Sequence, residues 1–285
     1  MISKTTGIIF CIIMMLSVVA VAEPTQPMPR EKITINDDVP TWNIDDSWTY
    51  TINDFTINIS KTGKKIFIDG RIDDLKWTVK DTTGDTYRVD FTGNLSAEYE
   101  IYTSSPVTLN VMGNFKPSLT HLTGTIYFTK SGLEIEDVSA NIIGITVATI
   151  SPIPIPLPIP FKLTVDGDLS TVFPLFDFPL HALKSWALPD INVEMNAQFG
   201  GIFGLIKIPI TFQTHYSGIP FAFWCWNKQS ITVEAGTFDA WKISTIISDY
   251  FEYYYAPSIG NLIKLDIDLT NGDVHGELKS TNIPH

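Results

Sequence analysis

From residue 40 onward the chain is a succession of short runs in which apolar and polar side chains alternate, broken by turn dipeptides. Phe55 to Ile59 alternates, K-T-G-K reverses the chain, and Ile66-Phe67-Ile68 returns. Trp77-Thr78-Val79 is followed by T-T-G-D and then by Tyr87, Val89 and Phe91, and the same grammar continues to Leu262–Leu269. A period of two sends successive side chains to opposite faces of a strand, and turn residues at this spacing mark hairpins. Asn271-Gly272 is the strongest two-residue turn signal in the chain. No window holds a 3.6-residue apolar stripe longer than two turns, and only His181–Trp186 suits a short helical turn. The pattern predicts an all-β protein of about fifteen mainly antiparallel strands, built as a large, strongly curved sheet or a sandwich.

Two segments repeat without a gap. T-V-K-D-T-T-G-D-T-Y-R-V (78–89) lines up with T-V-E-A-G-T-F-D-A-W-K-I (232–243), and the same offset sets Glu98-Tyr99 on Glu252-Tyr253. This predicts a duplicated β unit. Residues 41–172 form the first unit, with extra strands and a proline-rich edge segment, and 173–285 the second.

That edge segment is Ser151–Phe161, S-P-I-P-I-P-L-P-I-P-F, with proline at every second position. In an extended strand the prolines fall on one side of the backbone and remove every donor from that edge. Ile153, Ile155, Leu157, Ile159 and Phe161 then share one face. The favoured reading is a protected edge strand. A covered loop at a cavity lip and a free recognition segment are the alternatives, the latter leaving apolar side chains around a polyproline helix.

Composition narrows the class. Lys4, the apolar run Ile8–Ala22 and Ala20-Val21-Ala22 have the layout of a signal peptide over residues 1–22, with an N-terminal extension at 23–40. The expectation is an exported protein, outside the cell or on its surface, with no membrane span after cleavage. Taking 22 residues from 285 leaves 263, enough for a sizeable core, and losing Lys4 moves the formal net charge from −12 to −13. Such an acidic chain lacks the basic stripe that nucleic acid requires. Cys225 is then the sole cysteine, read as a buried apolar side chain, with an intermolecular bridge as alternative. Asn58 and Asn94 lie in glycosylation sequons.

Catalytic constellations are missing from the sequence: no nucleophile elbow, S-x-x-K, H-E-x-x-H or phosphate-binding glycine loop occurs. The five histidines lack zinc-ligand spacing. Asp266-x-Asp268 with Glu277 mimics a calcium loop, but its glycine is displaced and its flanks read as hairpin strands. No metal, cofactor or catalytic residue is expected.

V-E-A-G-T-F-D-A-W-K-I (233–243), followed by E-Y-Y-Y-A-P-S-I-G-N-L-I-K-L (252–265), resembles a family of exported β-domain proteins found mainly in archaea. D-D-S-W-T-Y (45–50) and F-P-L-H-A-L-K-S-W (178–186) share the resemblance. The family is functionally uncharacterised, so the resemblance implies a fold and no activity. The closing block is also similar to lipoprotein-carrier-like curved sheets, a likeness of fold alone.

The functional expectation is a non-enzymatic protein that binds an apolar, lipid-like ligand in a concave sheet. Ile153, Ile155, Leu157, Ile159, Phe161, Phe203, Phe223, Trp224 and Trp226 are the candidate lining. A structural or protein-interaction component of the cell surface is the alternative, and a hydrolase with an unrecognised carboxylate pair comes third.

Overall fold

The computed structural model describes residues 39–61, 63–104, 108–151, 153–167, 173–187, 192–199, 208–215, 222–245, 251–269 and 272–284. Residues 1–38, which include the segment expected to be a signal peptide and most of the expected N-terminal extension, lie outside this set, as does Phe203. Within it every regular element is a strand.

Seven strands form one wing: β1 (Ser47–Lys61), β2 (Lys64–Asp81), β3 (Thr86–Thr103), β4 (Leu109–Phe115), β5 (Thr120–Thr129), β6 (Ile135–Ile150) and β7 (Ile153–Gly167). Then come β8 (Lys184–Ala187), β9 (Asn192–Phe199) and β10 (Ile208–His215). The other wing is β11 (Ala222–Val233), β12 (Gly236–Thr245), β13 (Phe251–Ala256), β14 (Asn261–Leu269) and β15 (Gly272–Thr281).

All of them belong to one antiparallel sheet, ordered β10-β9-β7-β6-β4-β3-β2-β1-β15-β14-β13-β12-β11-β8. The wings join where the first and last strands pair, Trp48 opposite Thr281 and Phe55 opposite Val274. β4 and β5 occupy one strand position between β3 and β6, because β3 pairs β5 along its first half and β4 along its second. The expected curved antiparallel sheet is therefore present. One feature crosses the expected unit boundary: β9, from residues assigned to the second unit, pairs with β7 of the first.

Several short runs fuse into long strands. Ile66–Ile68 and Trp77–Val79 both lie in the 18-residue β2. Asp73-Asp74 marks a register shift within it, with Asp74 at φ 52°, and not a chain reversal. The repeat is also distributed differently in its two copies. Tyr87 and Tyr99 share β3, whereas Trp241 and Tyr253 stand on β12 and β13. His181–Trp186 is not helical: Lys184–Ala187 is a strand, with Trp186 buried and paired opposite Phe223 of β11. The terminal hairpin pairs Leu269 with Gly272, so Gly272 already belongs to β15. There a Cβ would stand 2.2 Å from the Thr56 carbonyl oxygen, so glycine permits the close approach of β1.

The first wing curls strongly. Tyr99 on β3 and Phe161 on β7 are three strand positions apart, about 14 Å on a flat sheet. Their ring centroids are 6.2 Å apart, and Phe115 on β4 lies 4.6 Å from Tyr99 and 4.7 Å from Phe161. Only a tight curl brings the concave side chains this close.

In the second wing the concave face is covered by the chain itself. Residues 173–180, between β7 and β8, place Phe173, Leu175, Phe176 and Leu180 in the core. Phe176 packs 4.8 Å from Tyr255 and 6.1 Å from Tyr253, whose hydroxyl donates to the Leu175 carbonyl at 2.5 Å. Trp186 Nε1 donates to the Pro174 carbonyl at 2.9 Å.

The β13–β14 turn is clamped by the start of the described chain. Trp42 Nε1 donates to the Gly260 carbonyl (3.0 Å), Trp48 Nε1 to that of Ile259 (3.1 Å) and the Tyr50 hydroxyl to that of Leu262 (3.1 Å). Gly260 sits at φ 61°, a conformation other residues adopt at a cost. The D-D-S-W-T-Y and Y-Y-Y-A-P-S-I-G-N blocks thus meet in space.

Candidate functional site

The structure divides the expected apolar lining into different settings. Ile159 and Phe161 point into the curl of the first wing, where Phe161 meets Tyr99 and Phe115. Phe223 is fully buried in the second wing, within 5.8 Å of the rings of Trp186, Phe251 and Tyr253. Trp224 and Trp226 stand on the opposite face of β11, their rings 5.9 Å apart, because side chains alternate along a strand. Trp226 donates to Ser244 Oγ at 2.8 Å, and Cys225 between them is buried beside Phe223. Phe223 and the two tryptophans therefore cannot line one cavity. For Ile153, Ile155 and Leu157 the backbone is described: Ile153 pairs with Ile150 and Leu157 with Ala148 of β6, and Ile155 falls in the register shift between them.

The proline segment is an edge up to a definite point. Ile153 and Leu157 to Pro160 pair with β6 alone among the described strands, with a register shift between Ile153 and Leu157. Pairing with β9 begins at Phe161 opposite Phe199 and runs to Asp166 opposite Glu194. Donors facing β9 come from the even-numbered residues, since the odd ones face β6. Lys162 is the first even position with an N–H, so β9 starts where the prolines end. Along 154–160 the open side carries carbonyl acceptors and no donors.

Beside this edge the outer face is apolar. Ile143 (50% exposed) and Ile145 (45%) on β6 stand with Leu119 (42%) and Met112 (53%). Ile145 N donates to the Leu119 carbonyl at 3.0 Å, and Ile145 pairs opposite the exposed Pro160. Ile143 and Ile145 lie on β6 with Leu119 beside Ile145, and Met112 lies on β4 opposite Thr149, further along β6.

On the outer face near the β14–β15 hairpin, carboxylates from five strands converge. Asp268 pairs opposite Asp273, Asp266 opposite His275, His275 opposite Asp54, and Asp69 opposite Glu98. Burial raises the Asp69 pKa, and the charges of Asp54, Asp273 and Glu98 raise it further. An acid pushed up in the folded state is less stable ionised there than in the unfolded chain, so its ionised form costs stability at neutral pH. Asp69→Asn is expected to stabilise the protein at pH 7 by on the order of a few tenths of a kcal/mol, given its exposure. The gain should vanish near the acid end of a pH series of urea midpoints, where Asp69 is protonated, and shrink at high salt.

This lane was missed because each histidine and carboxylate was weighed by spacing along the chain. A signal was present: Asp266-x-Asp268 and Asp273-x-His275 flank the strongest turn in the sequence. Folded as a hairpin with a period of two, all four fall on one face.

No family model matches this chain, and no curated protein does. Among solved structures it is similar to a β-barrel-like protein of a domain of unknown function, DUF1849, from Brucella abortus. That match has 9% sequence identity and a TM-score of 0.30, covering 85% of this chain and 99% of the other. It carries no argument about the site. Among the described residues no helix is long and apolar enough to cross a membrane, which says nothing of strands.

Proposed function

We propose that this chain is an exported, non-enzymatic binding protein that recognises an apolar, lipid-like chain, acting outside the cell or on its surface. The observation that carries the reading is the set of exposed apolar residues on this face, Ile143 and Ile145 of β6 with Leu119 of the β4–β5 connection beside them and Met112 of β4 further along. Contiguous exposed apolar surface marks a site of interaction, whereas isolated apolar residues do not. The neighbouring edge offers acceptors only, so a partner is held by its apolar surface and not by added strand pairing. Of the residues named from sequence, Phe161 and Phe223 pack against the protein's own rings, and the proposed site is placed on the outer face, where the exposed strip lies. The resemblance to exported β-domain proteins supports the compartment, as does the leader-like start.

A structural or interaction role at the cell surface is the second reading, favoured by the same strip lying next to an edge that controls assembly. The double variant Ile143→Ser, Ile145→Ser separates them. Each exposed isoleucine buried in a complex contributes roughly 1.5–3 kcal/mol. Binding of an apolar fluorescent dye and of lipid recovered from the purified protein should fall at least about tenfold, with the thermal midpoint little changed. Loss of a dimer in light scattering, with no lipid or dye bound by either form, would establish the second reading. A monomer that binds neither dye nor lipid defeats both.

A further inference from the structure

We propose that Asp268, Asp273 and His275 form a binding site for a divalent first-row transition-metal ion on the outer face of the β14–β15 hairpin. One ligand atom from each lies within 4.8 Å of the others. The hairpin register creates the group, setting Asp268 opposite Asp273 and Asp266 opposite His275.

The imidazole is oriented as a metal ligand would be. Asp266 Oδ1 is 3.3 Å from His275 Nδ1, while Lys264 holds the other oxygen, Oδ2, at 2.7 Å. In the tautomer that donates Nδ1–H to Asp266, Nε2 carries the lone pair, and Nε2 lies 3.5 Å from Asp268 Oδ1. A carboxylate behind a ligating histidine fixes its tautomer and raises its basicity in this manner. Two ligands about 2.1 Å from a tetrahedral ion are about 3.4 Å apart, so this pair needs almost no movement to share one. Asp268 is exposed and free to close the remaining gap.

Asp273 supplies an independent sign. Its Oδ1 is buried and has no hydrogen-bond partner, an arrangement that costs free energy unless a cation or donor completes it. Among the described residues no lysine or arginine pairs with Asp268 or Asp273, nor with the neighbouring Asp54, Asp69 and Glu98. The local charge is thus negative, with Lys264 paired to Asp266 beside it. An imidazole nitrogen with two carboxylate oxygens suits zinc and its first-row neighbours, whereas calcium and magnesium favour oxygen alone.

The test is calorimetric titration of the chelator-treated full chain, in a Cys11→Ser background so that the leader's thiol does not compete. Zn²⁺ should bind at one equivalent and at least tenfold more tightly than Ca²⁺. His275→Gln should weaken Zn²⁺ binding at least tenfold, and Asp266→Asn by roughly 10–100-fold through the orienting contact. Asp45→Asn, in a remote turn, should leave it unchanged, and circular dichroism of the metal-free variants monitors the fold. Absence of one-equivalent Zn²⁺ binding overturns the site. So does equal affinity for Ca²⁺, or Zn²⁺ affinity indifferent to His275→Gln, either of which marks a diffuse acidic surface. Should His275→Gln fail to fold, X-ray absorption of the Zn²⁺-loaded parent decides: an imidazole nitrogen in the inner shell supports the site, and an all-oxygen shell overturns it.

Discussion

Trp48→Ala is expected to lower the stability of the protein by about 3–5 kcal/mol through the lost ring alone. Trp48 is fully buried, its ring centroid is 5.0 Å from that of Trp42, and it donates to the Ile259 carbonyl. Removing it opens a cavity where β1 meets the β13–β14 turn, and leaves a buried carbonyl without its donor, at a further cost of about 1–3 kcal/mol. Domains of this kind have roughly 5–15 kcal/mol in total, so the variant should unfold at much lower denaturant. Trp48→Phe keeps most of the packing and loses the bond, and should cost clearly less. Denaturant titrations with the slope held constant measure both. A Trp48→Ala protein within about 1 kcal/mol of the parent would show that the clamp on residues 259–262 is not a principal support.

The second large effect concerns assembly. Replacing Pro154, Pro156 and Pro158 together by threonine restores three donors to the open side of β7. Threonine also favours strands, so the donorless edge becomes one that pairs along its whole length. The variant is expected to self-associate, seen as a concentration-dependent rise in mass by light scattering, while the parent keeps its mass. An open strand edge templates another chain, and the adjacent Ile143 and Ile145 supply apolar surface to bury once pairing begins. A triple variant that scatters like the parent at every concentration would refute the edge reading.

Much of the architecture was legible because strand formation leaves a local trace. The alternation along Tyr87 to Phe91 predicts which side chains go inside, and Tyr87, Val89 and Phe91 are buried as expected. Proline's missing donor is equally local: among the described strands β9 joins β7 only from Phe161 on, although β7 is not the last strand of the sheet, since β9 and β10 lie beyond it. Element boundaries were less legible. Tyr87–Phe91 and Tyr99–Tyr102 became one strand because alternation simply continues between them, through Leu95 and Ala97, which are also buried.

What the sequence could determine by itself is whatever depends on the residue and its near neighbours: all-β class, the faces of each strand, the closed edge and the acidic balance. Only the tertiary structure decided what depends on register and curvature between distant strands. Curvature set Phe161 against Tyr99, and residues 173–180 place Phe173, Leu175, Phe176 and Leu180 in the core. Register brought Asp54, Asp69, Glu98, Asp268, Asp273 and His275 onto one lane of the outer face. A shift of one residue in any of those pairings would send its carboxylate to the other face of the sheet. Strand identity is thus a local property of this chain, and its candidate sites are properties of the pairing.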